Sequence, residues 1–587
     1  MLRVWRAGLV LALILAAAFT VVAPPERCPS VEAAELRGSA QAAADWLVRN
    51  QRPDGTWLYL YDADRDSAAP DYNLVRHAGA AMGLYQAAAA GMPGALGSAD
   101  GGTEWALDQL ISRDGWSAFG STAGVDTGAT ALLAAGLAIR REATGDPRYD
   151  DLLRRLGRFL LSQTEASGAV LARYDPSRGA PVPGEYSKYY TGEAYWALAR
   201  LNLIFPGEGW GEAADRVGAY LASSRDDRED HWPPIADHWA AYGLADTLES
   251  RGSTGVSLTE DESDYARRQA ELFGGQVRWI SERFGPWGAL VRPGGVPRGG
   301  GYGVIGEGLS GLWLVANQDP RLADLRDPIA GRATCIAGLA VRAQSDGADA
   351  ADAISPERVE GAWFRDGETR MDDQQHALAA LLRTIPIVEA TSGGSLDAGE
   401  DAPSAWLWLI ALLAALNPAR AAFGIPRRRG SPSALELAAL GGLIGGLAAV
   451  VAAALGGPLL DWLDVSEPSF RIAAGAVAVV GGAVDLFRRP PSPEPSLAGW
   501  RAALVPVAVP LVARPILLVM ALSAGADRSV LVAAGSMAIA VALLSGLTAW
   551  WTTEGPRGRI LAWAARLLAA ALVACGVVLG VDGTFDV

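Results

Sequence analysis

One arrangement recurs along this chain and constrains its fold more than anything else. A short polar, titratable start gives way to a run of small, apolar, helix-forming residues. Asp237-His238-Trp239-Ala240-Ala241-Tyr242-Gly243-Leu244 is the clearest copy. Others are Arg76-His77 before AGAAMGLYQAAAA, Asp126-Thr127 before GATALLAAGLA, and Tyr190-Thr191-Gly192-Glu193 before AYWALARL. Gly306-Glu307-Gly308 precedes LSGLWLV, and Asp373-Gln374-Gln375-His376 precedes ALAALL. Between these copies lie longer amphipathic segments that end in turns: QRPDGTW (Gln51 to Trp57), SRDGWSAF (Ser112 to Phe119), RFGPWGAL (Arg283 to Leu290) and VEGAWF (Val359 to Phe364). Gly and Pro break the helix there, and an aromatic fills the gap where the chain reverses. Two helix types alternating about six times predict an all-α fold whose N-terminal part is an (α/α)6 toroid. Inner helices are small and apolar because they pack on both sides, while outer helices carry the charge.

Such a ring has one deep mouth, lined by the starts of its inner helices, and the titratable groups fall there. The four histidines are His77, His231, His238 and His376. The mouth acids are Asp126, Glu193, Asp237, Glu307 and Asp373, with Tyr189, Tyr190, Trp239 and Tyr302 as candidate substrate-binding aromatics. Any one of these polar groups serves equally well as a helix cap. Their convergence on one mouth argues for a cleft, with His77, Glu193, Asp237, His238, Glu307, Asp373 and His376 as candidate catalytic residues. Aromatic platforms beside paired carboxylates suit sugar chemistry, one carboxyl acting as acid and the other as base or nucleophile. Proton abstraction by His or Tyr, as in lyases and epimerases, is the neighbouring possibility. No cofactor and no metal is expected, although a zinc set from His77, His238 and His376 stays geometrically open.

Gln51, Gly55 and Trp57 resemble the QxxxGxW-type repeat of terpenoid cyclases and prenyltransferases. That likeness implies the same toroid. No DxDD-type proton donor and no Asp/Cys/His zinc set at prenyltransferase spacing accompanies it.

At 587 residues the chain exceeds one ordinary domain. Residues 1–33 open with Arg3 and Arg6 before an apolar run from Ala7 to Ala23, the pattern of a signal peptide or signal-anchor. The toroid is expected over residues 34–390, then a small, polar linker over 391–404. DADRD (Asp62 to Asp66) lacks the Gly and distal Glu of an EF-hand and reads as a solvated turn. The net charge of −15 argues against a nucleic-acid partner. Cys28, Cys335 and Cys575 show neither metal spacing nor a disulfide framework.

Composition changes abruptly over residues 405–587. Six apolar spans follow: Ala405 to Phe423, Ala434 to Leu455, Phe470 to Phe487, Trp500 to Leu522, Val530 to Trp551 and Ile560 to Val581. Each is long enough to cross a bilayer. Arg427, Arg428 and Arg429, Arg488 and Arg489, and Arg557 and Arg559 alternate with loops carrying Asp461, Asp464 and Glu467 or Asp527. By the positive-inside rule the arginine loops face the cytoplasm and the toroid and C-terminus lie outside a bacterial inner membrane.

Asn417-Pro418, Pro506, Pro510 and Pro515 break helices at membrane depth, where protein or a water-filled cavity must satisfy the freed backbone. Interruptions in both halves are how many transporters build a midplane site, and kinks in packed helices are the plainer account. Arg514, well inside its span, is a functional suspect, whereas Arg471 and Asp485 near span ends are placed to snorkel. ALNPARAAFGIP (Ala415 to Pro426), DVSEPSFRIAAGAVAVVGGAVDLF (Asp464 to Phe487) and LVPVAVPLVARP (Leu504 to Pro515) resemble, in order, three segments of the MarC family of bacterial membrane proteins. The likeness implies a transporter-like six-helix domain. It departs at Ala419, where the family has Gly, and at Ala513-Arg514-Pro515, where it has GPG.

Together these features suggest an exported toroid on a multi-pass membrane domain that binds or processes an envelope glycan or lipid-linked sugar, with membrane lipid around it. Hydrolase, lyase and epimerase chemistry all fit. The alternatives are a transporter whose toroid captures or senses a small solute, and a toroid that only binds an envelope partner.

Overall fold

The computed structural model describes residues 26–585 apart from 114, 230–233, 253–256, 285–295, 392–404, 427–431, 464–466, 489–490, 492–498, 528–529 and 551–555. The apolar run of the export signal, the linker, His231, most of the Arg283 to Leu290 turn, the Arg427 to Arg429 loop and Arg489 lie outside the described residues. The chain forms two compact units, one over Cys28–Ser281 and Gly294–Gly399, the other chiefly over Glu400–Asp586.

The first unit is an (α/α)6 toroid. Its outer helices are α1 (Ala33–Arg49), α3 (Ala95–Leu107), α5 (Asp150–Gln163), α7 (Trp210–Ser223), α9 (Glu260–Arg283) and α11 (Arg326–Ala343). The inner helices are α2 (Leu74–Ala89), α4 (Thr127–Thr144), α6 (Tyr190–Ile204), α8 (His238–Gly252), α10 (Gly299–Gln318) and α12 (Met371–Thr391). Each inner helix packs on the next, and α12 returns to α2, so the ring closes. Burial explains the two compositions. In α4 every residue from Thr127 to Arg140 is buried, whereas in α5 only one face is, through Leu153, Leu156, Phe159 and Leu160.

The turns are held by a repeated polar clamp. Gln51 Nε2 donates to Gly55 O (3.1 Å) and Ser98 O (2.8 Å), and Ser98 Oγ donates back to Gln51 Oε1 (2.8 Å). Gln344 does the same with Gly361 O (2.9 Å) and Ser39 (3.0 Å to its carbonyl). Ser39 Oγ again returns the bond, to Gln344 Oε1 at 2.5 Å. Gly55 (φ +91°) and Gly361 (φ +86°) are left-handed, and a Cβ on either would meet a carbonyl of the adjacent outer helix at 2.4–2.5 Å. Only glycine fits both demands. The aromatics Trp57 and Trp363 are fully buried behind these turns. Each clamp therefore ties one turn to the outer helix beside it.

Two links join the ends of the ring. Leu60–Asp62 pairs antiparallel with Glu368–Arg370, fastening the approach to α2 to the approach to α12. Cys28, ahead of α1, is disulfide-bonded to Cys335 on α11. The sequence showed no disulfide framework, and the structure corrects that. The partners are 307 residues apart, so their spacing carried no signal, and only ring closure brings them together.

The second unit is a bundle of apolar helices: α13 (Ala405–Leu416), α14 (Pro418–Gly424), α15 (Ala434–Ala454), α16 (Gly456–Leu463), α17 (Glu467–Phe487), α18 (Pro515–Asp527), α19 (Val530–Trp550) and α20 (Pro556–Phe585). Among the described residues, five spans are long and apolar enough to cross a membrane. A sixth forms if the distorted segment Ala503–Val512 and α18, which meet at a 65° bend, count as one.

Candidate functional site

The starts of the inner helices bring two clusters together and send other residues to structural duty. Four inner helices contribute. α6 supplies Glu193, α8 supplies Asp237 and His238, α10 supplies Glu307, and α12 supplies His376.

In the first cluster, glycines make room for carboxylates. A Cβ on Gly128 of α4 would lie 2.1 Å from Glu193 Oε2 and 2.4 Å from the Tyr190 ring. A Cβ on Gly192 would lie 2.5 Å from Asp237 Oδ1. Glu193 is buried, and its Oε2 has no hydrogen-bond partner among the described residues. Burial, reinforced by the nearby Asp237 and Asp126 carboxylates, pushes its pKa up to about 8. Glu193 therefore keeps its proton at neutral pH. Asp126 precedes α4 with an exposed side chain; desolvation raises its pKa and Arg173 opposes the rise. Asp237 is different. It accepts from Ala240 N at 3.0 Å, capping α8, and pairs with the fully buried Arg225 guanidinium. Burial raises its pKa, and Arg225 is the largest opposing influence.

The second cluster is His238, Glu307 and His376, whose nearest ligand-type atoms all lie within 4.8 Å of one another. His376 Nδ1 sits 2.6 Å from Glu307 Oε2, and His238 Nε2 sits 3.9 Å from the same oxygen. Tyr242 OH donates to Glu307 Oε1 at 3.3 Å. His238 is 2 % exposed, and neither ring nitrogen has a hydrogen-bond partner among the described residues. Burial, helped by His376, holds its pKa well below the usual histidine value. Burial also opposes protonation of His376, but Glu307 outweighs it and raises that pKa. Trp239 packs against the His238 ring (4.3 Å between centroids) and stacks on Trp196 (5.3 Å).

His77 does not join them. Its Nδ1 bonds Tyr72 OH (2.8 Å) and its Nε2 bonds Gly102 O of α3 (2.9 Å), within a nest of Trp57, Trp105 and Phe119. Burial lowers its pKa to about 4. It faces an outer helix rather than the mouth, which removes it from both the catalytic set and the zinc set. Asp373 is also structural. It receives Gly300 N (3.0 Å), Arg298 Nε (3.1 Å) and Arg370 N (3.2 Å), pinning the start of α10. Asp237 caps rather than orients, since no bond runs from it to the His238 ring. Tyr302 is buried on α10, Tyr190 is half-buried beside Glu193, and Tyr189 is exposed with Lys188 over its ring. Tyr242 and Arg225 were missed. Tyr242 lies one turn beyond His238 and was readable by spacing, whereas nothing in the run SSRDDRED marks Arg225 as the partner of Asp237.

In the apolar unit, Asn417 (φ +50°) ends α13 and caps α14, accepting Arg420 N at 3.1 Å and donating to Ala565 O at 2.9 Å. Pro418 is the first residue of α14, Pro515 the first of α18, and Pro510 lies in the distorted segment Ala503–Val512. Arg514, at the second break, donates to Ala415 O at 3.3 Å and pairs with Asp485 at 2.5 Å. Arg420 pairs with Asp485 as well, at 3.1 Å. Arg471 and Asp485 do not snorkel. Arg471 is buried against Asp527, and Asp485 lies between two guanidinium groups.

No protein-family model matches the chain, and no curated protein does. Among solved structures it is similar to the cellobiose 2-epimerase of Bacillus thermoamylovorans: 11 % identity, TM-score 0.41, covering 58 % of this chain and 95 % of that one. It is also similar to the α-1,6-mannanase of Salegentibacter sp. HEL1_6 (12 %, TM-score 0.42, covering 61 % and 100 %). An α-mannanase of Bacteroides thetaiotaomicron gives 10 % and 0.42, covering 61 % and 97 %.

Proposed function

We propose that the toroid is an exported glycan-processing enzyme held at a bacterial inner membrane by its apolar unit, with Glu193 as proton donor. One observation supports this reading: Glu193 is a buried carboxyl whose Oε2 is unbonded among the described residues and whose pKa is pushed up to about 8, with the exposed carboxyl of Asp126 close enough to reinforce the rise. Burial raises both carboxyls, but Glu193 is the deeper of the two and Asp126 is exposed with Arg173 opposing the rise, which suits Glu193 to the acid role and Asp126 to the base role. Glu193 would protonate a leaving oxygen, and Asp126 would act as base or nucleophile. Tyr189 and Tyr190 would offer sugar-stacking faces. Hydrolysis of an envelope glycan or lipid-linked sugar is the reaction this pair serves most directly, with elimination or epimerisation through histidine next. The Cys28–Cys335 bond supports an exported toroid, since disulfides persist in oxidising compartments. The arginine-rich loops support the same orientation, with the toroid and the C-terminus outside, by the positive-inside rule.

The full chain, purified in detergent and incubated with envelope glycans and lipid-linked oligosaccharides, is expected to release product detectable by mass spectrometry. Glu193→Gln should lower release by about 10²–10⁴-fold while the protein stays folded. Binding without release by the wild-type chain would leave a binding module instead.

A second reading has its own support. Two broken spans meet at Arg514, whose side chain reaches the carbonyl end of α13, and Asp485 joins Arg420 to Arg514. Charged groups at paired breaks are how transporters form midplane sites, which fits the MarC-like pattern of this unit. Solute flux in proteoliposomes that Arg514→Ala removes would favour it.

A further inference from the structure

His238, Glu307 and His376 make a set that the acid–base pair does not use. The set draws on three successive inner helices, α8, α10 and α12, and so is fixed by the closed ring rather than by loops. Glu307 is a fully buried carboxylate whose bonded partners are one imidazole and one phenol. The two imidazoles meet edge to face at 5.3 Å, and each turns a nitrogen toward its Oε2. His238 decides the matter. It is buried, it aims Nε2 at that oxygen from 3.9 Å, too far for a hydrogen bond, and Nδ1 is idle too. An unsatisfied buried polar atom is costly, and in a native protein it asks for a ligand.

We propose that His238, Glu307 and His376 bind a divalent first-row transition metal ion, Zn²⁺ before the others. Two imidazoles and one carboxylate are a recurrent catalytic zinc set, and they leave a fourth coordination position for water or a substrate oxygen. Tetrahedral zinc with ordinary bond lengths separates its ligand atoms by about 3.3 Å. The His376–Glu307 edge, now 2.6 Å, would open by about 0.7 Å, and the His238–Glu307 edge, now 3.9 Å, would close by about 0.6 Å. The third edge, His238 to His376, already lies within 4.8 Å and would close by at most about 1.5 Å. Tyr242, bonded to the other Glu307 oxygen, orients the carboxylate as supporting groups do around metals. Access is through His376, whose side chain is 17 % exposed while the other two are buried. Zinc suits the compartment that the disulfide implies, because it has no redox chemistry. This site goes beyond the carboxyl pair and stands or falls separately from it.

The test uses the full chain in detergent, purified without a polyhistidine tag, stripped with a chelator and titrated with Zn²⁺ or Co²⁺. Metal analysis after desalting is expected to find about one ion per chain, and Co²⁺ should give the visible bands of a tetrahedral site. Zn²⁺ should also raise the melting temperature. His238→Ala and His376→Ala should lose the bound ion. Glu307→Gln keeps the shape of the network, so it decides the matter should a histidine variant fail to fold. Its affinity should fall by more than the ~10–100-fold that loss of a mere supporting group costs. A wild-type chain that retains no ion, or an ion that all three variants retain, overturns the proposal. Neither result touches Glu193, whose turnover is measured separately.

Discussion

His77 and His238 stand in the first turns of two inner helices and look alike in sequence, yet the ring treats them oppositely. His77 spends both nitrogens on Tyr72 and Gly102 and is enclosed by three aromatic rings. His238 is just as buried and spends neither. The difference lies in what each helix start faces. α2 turns its histidine outward onto α3, where a carbonyl is waiting. α8 turns its histidine along the ring toward Glu307 and His376. A satisfied histidine stabilises a fold; an idle one at a mouth costs stability and points to a ligand.

The largest effect should come from the residue beside His238. Asp237→Asn preserves the cap on α8 but leaves Arg225 buried without its counter-charge. Stability should drop by about 3–5 kcal/mol, read from denaturant or thermal unfolding. A drop under about 1 kcal/mol would reduce Asp237 to a cap alone. The histidine contrast comes next. His77→Ala should lose about 2–4 kcal/mol, from the cavity and two stranded partners, without changing metal stoichiometry in protein that remains folded. His238→Ala should cost less than His77→Ala, since it leaves a cavity but strands no hydrogen-bond partner, while the ion is lost. Equal stability losses in the two variants would erase the distinction.

A further effect concerns pH. An unfolded glutamate loses its proton near 4.5, whereas Glu193 holds its own up to about 8. Folding therefore takes up a proton between those values, and this group's contribution to stability falls as pH rises through that window. Glu193→Gln lacks the slope. Its melting temperature relative to wild type should climb from pH 5 to pH 8, and a constant difference would mean the carboxyl is not held protonated.

Much of this was legible beforehand. The alternation of small and amphipathic helices gave the toroid, because burial on two faces or one imposes different compositions on α4 and α5. The run of apolar spans and the breaks at Asn417-Pro418 and Pro515 were equally plain, since proline breaks a helix wherever it falls. What could not be read depended on ring closure. The Cys28–Cys335 bond and the second Gln–Ser clamp, Gln344 with Ser39, join the two ends of the toroid. The buried Arg225–Asp237 pair links a single helical turn, Arg225–Arg228, to a helix start. Which way a helix start faces is set by packing rather than periodicity, so His77 and His238 could not be told apart.

The central claim is that Glu193 gives a proton to a glycan at the mouth of the ring, and the pH–rate profile of the full chain tests it most directly. Turnover should decline above a pKa near 8 in the wild type and fall by about 10²–10⁴-fold in Glu193→Gln. Turnover that survives the substitution with the same alkaline limb would contradict the account.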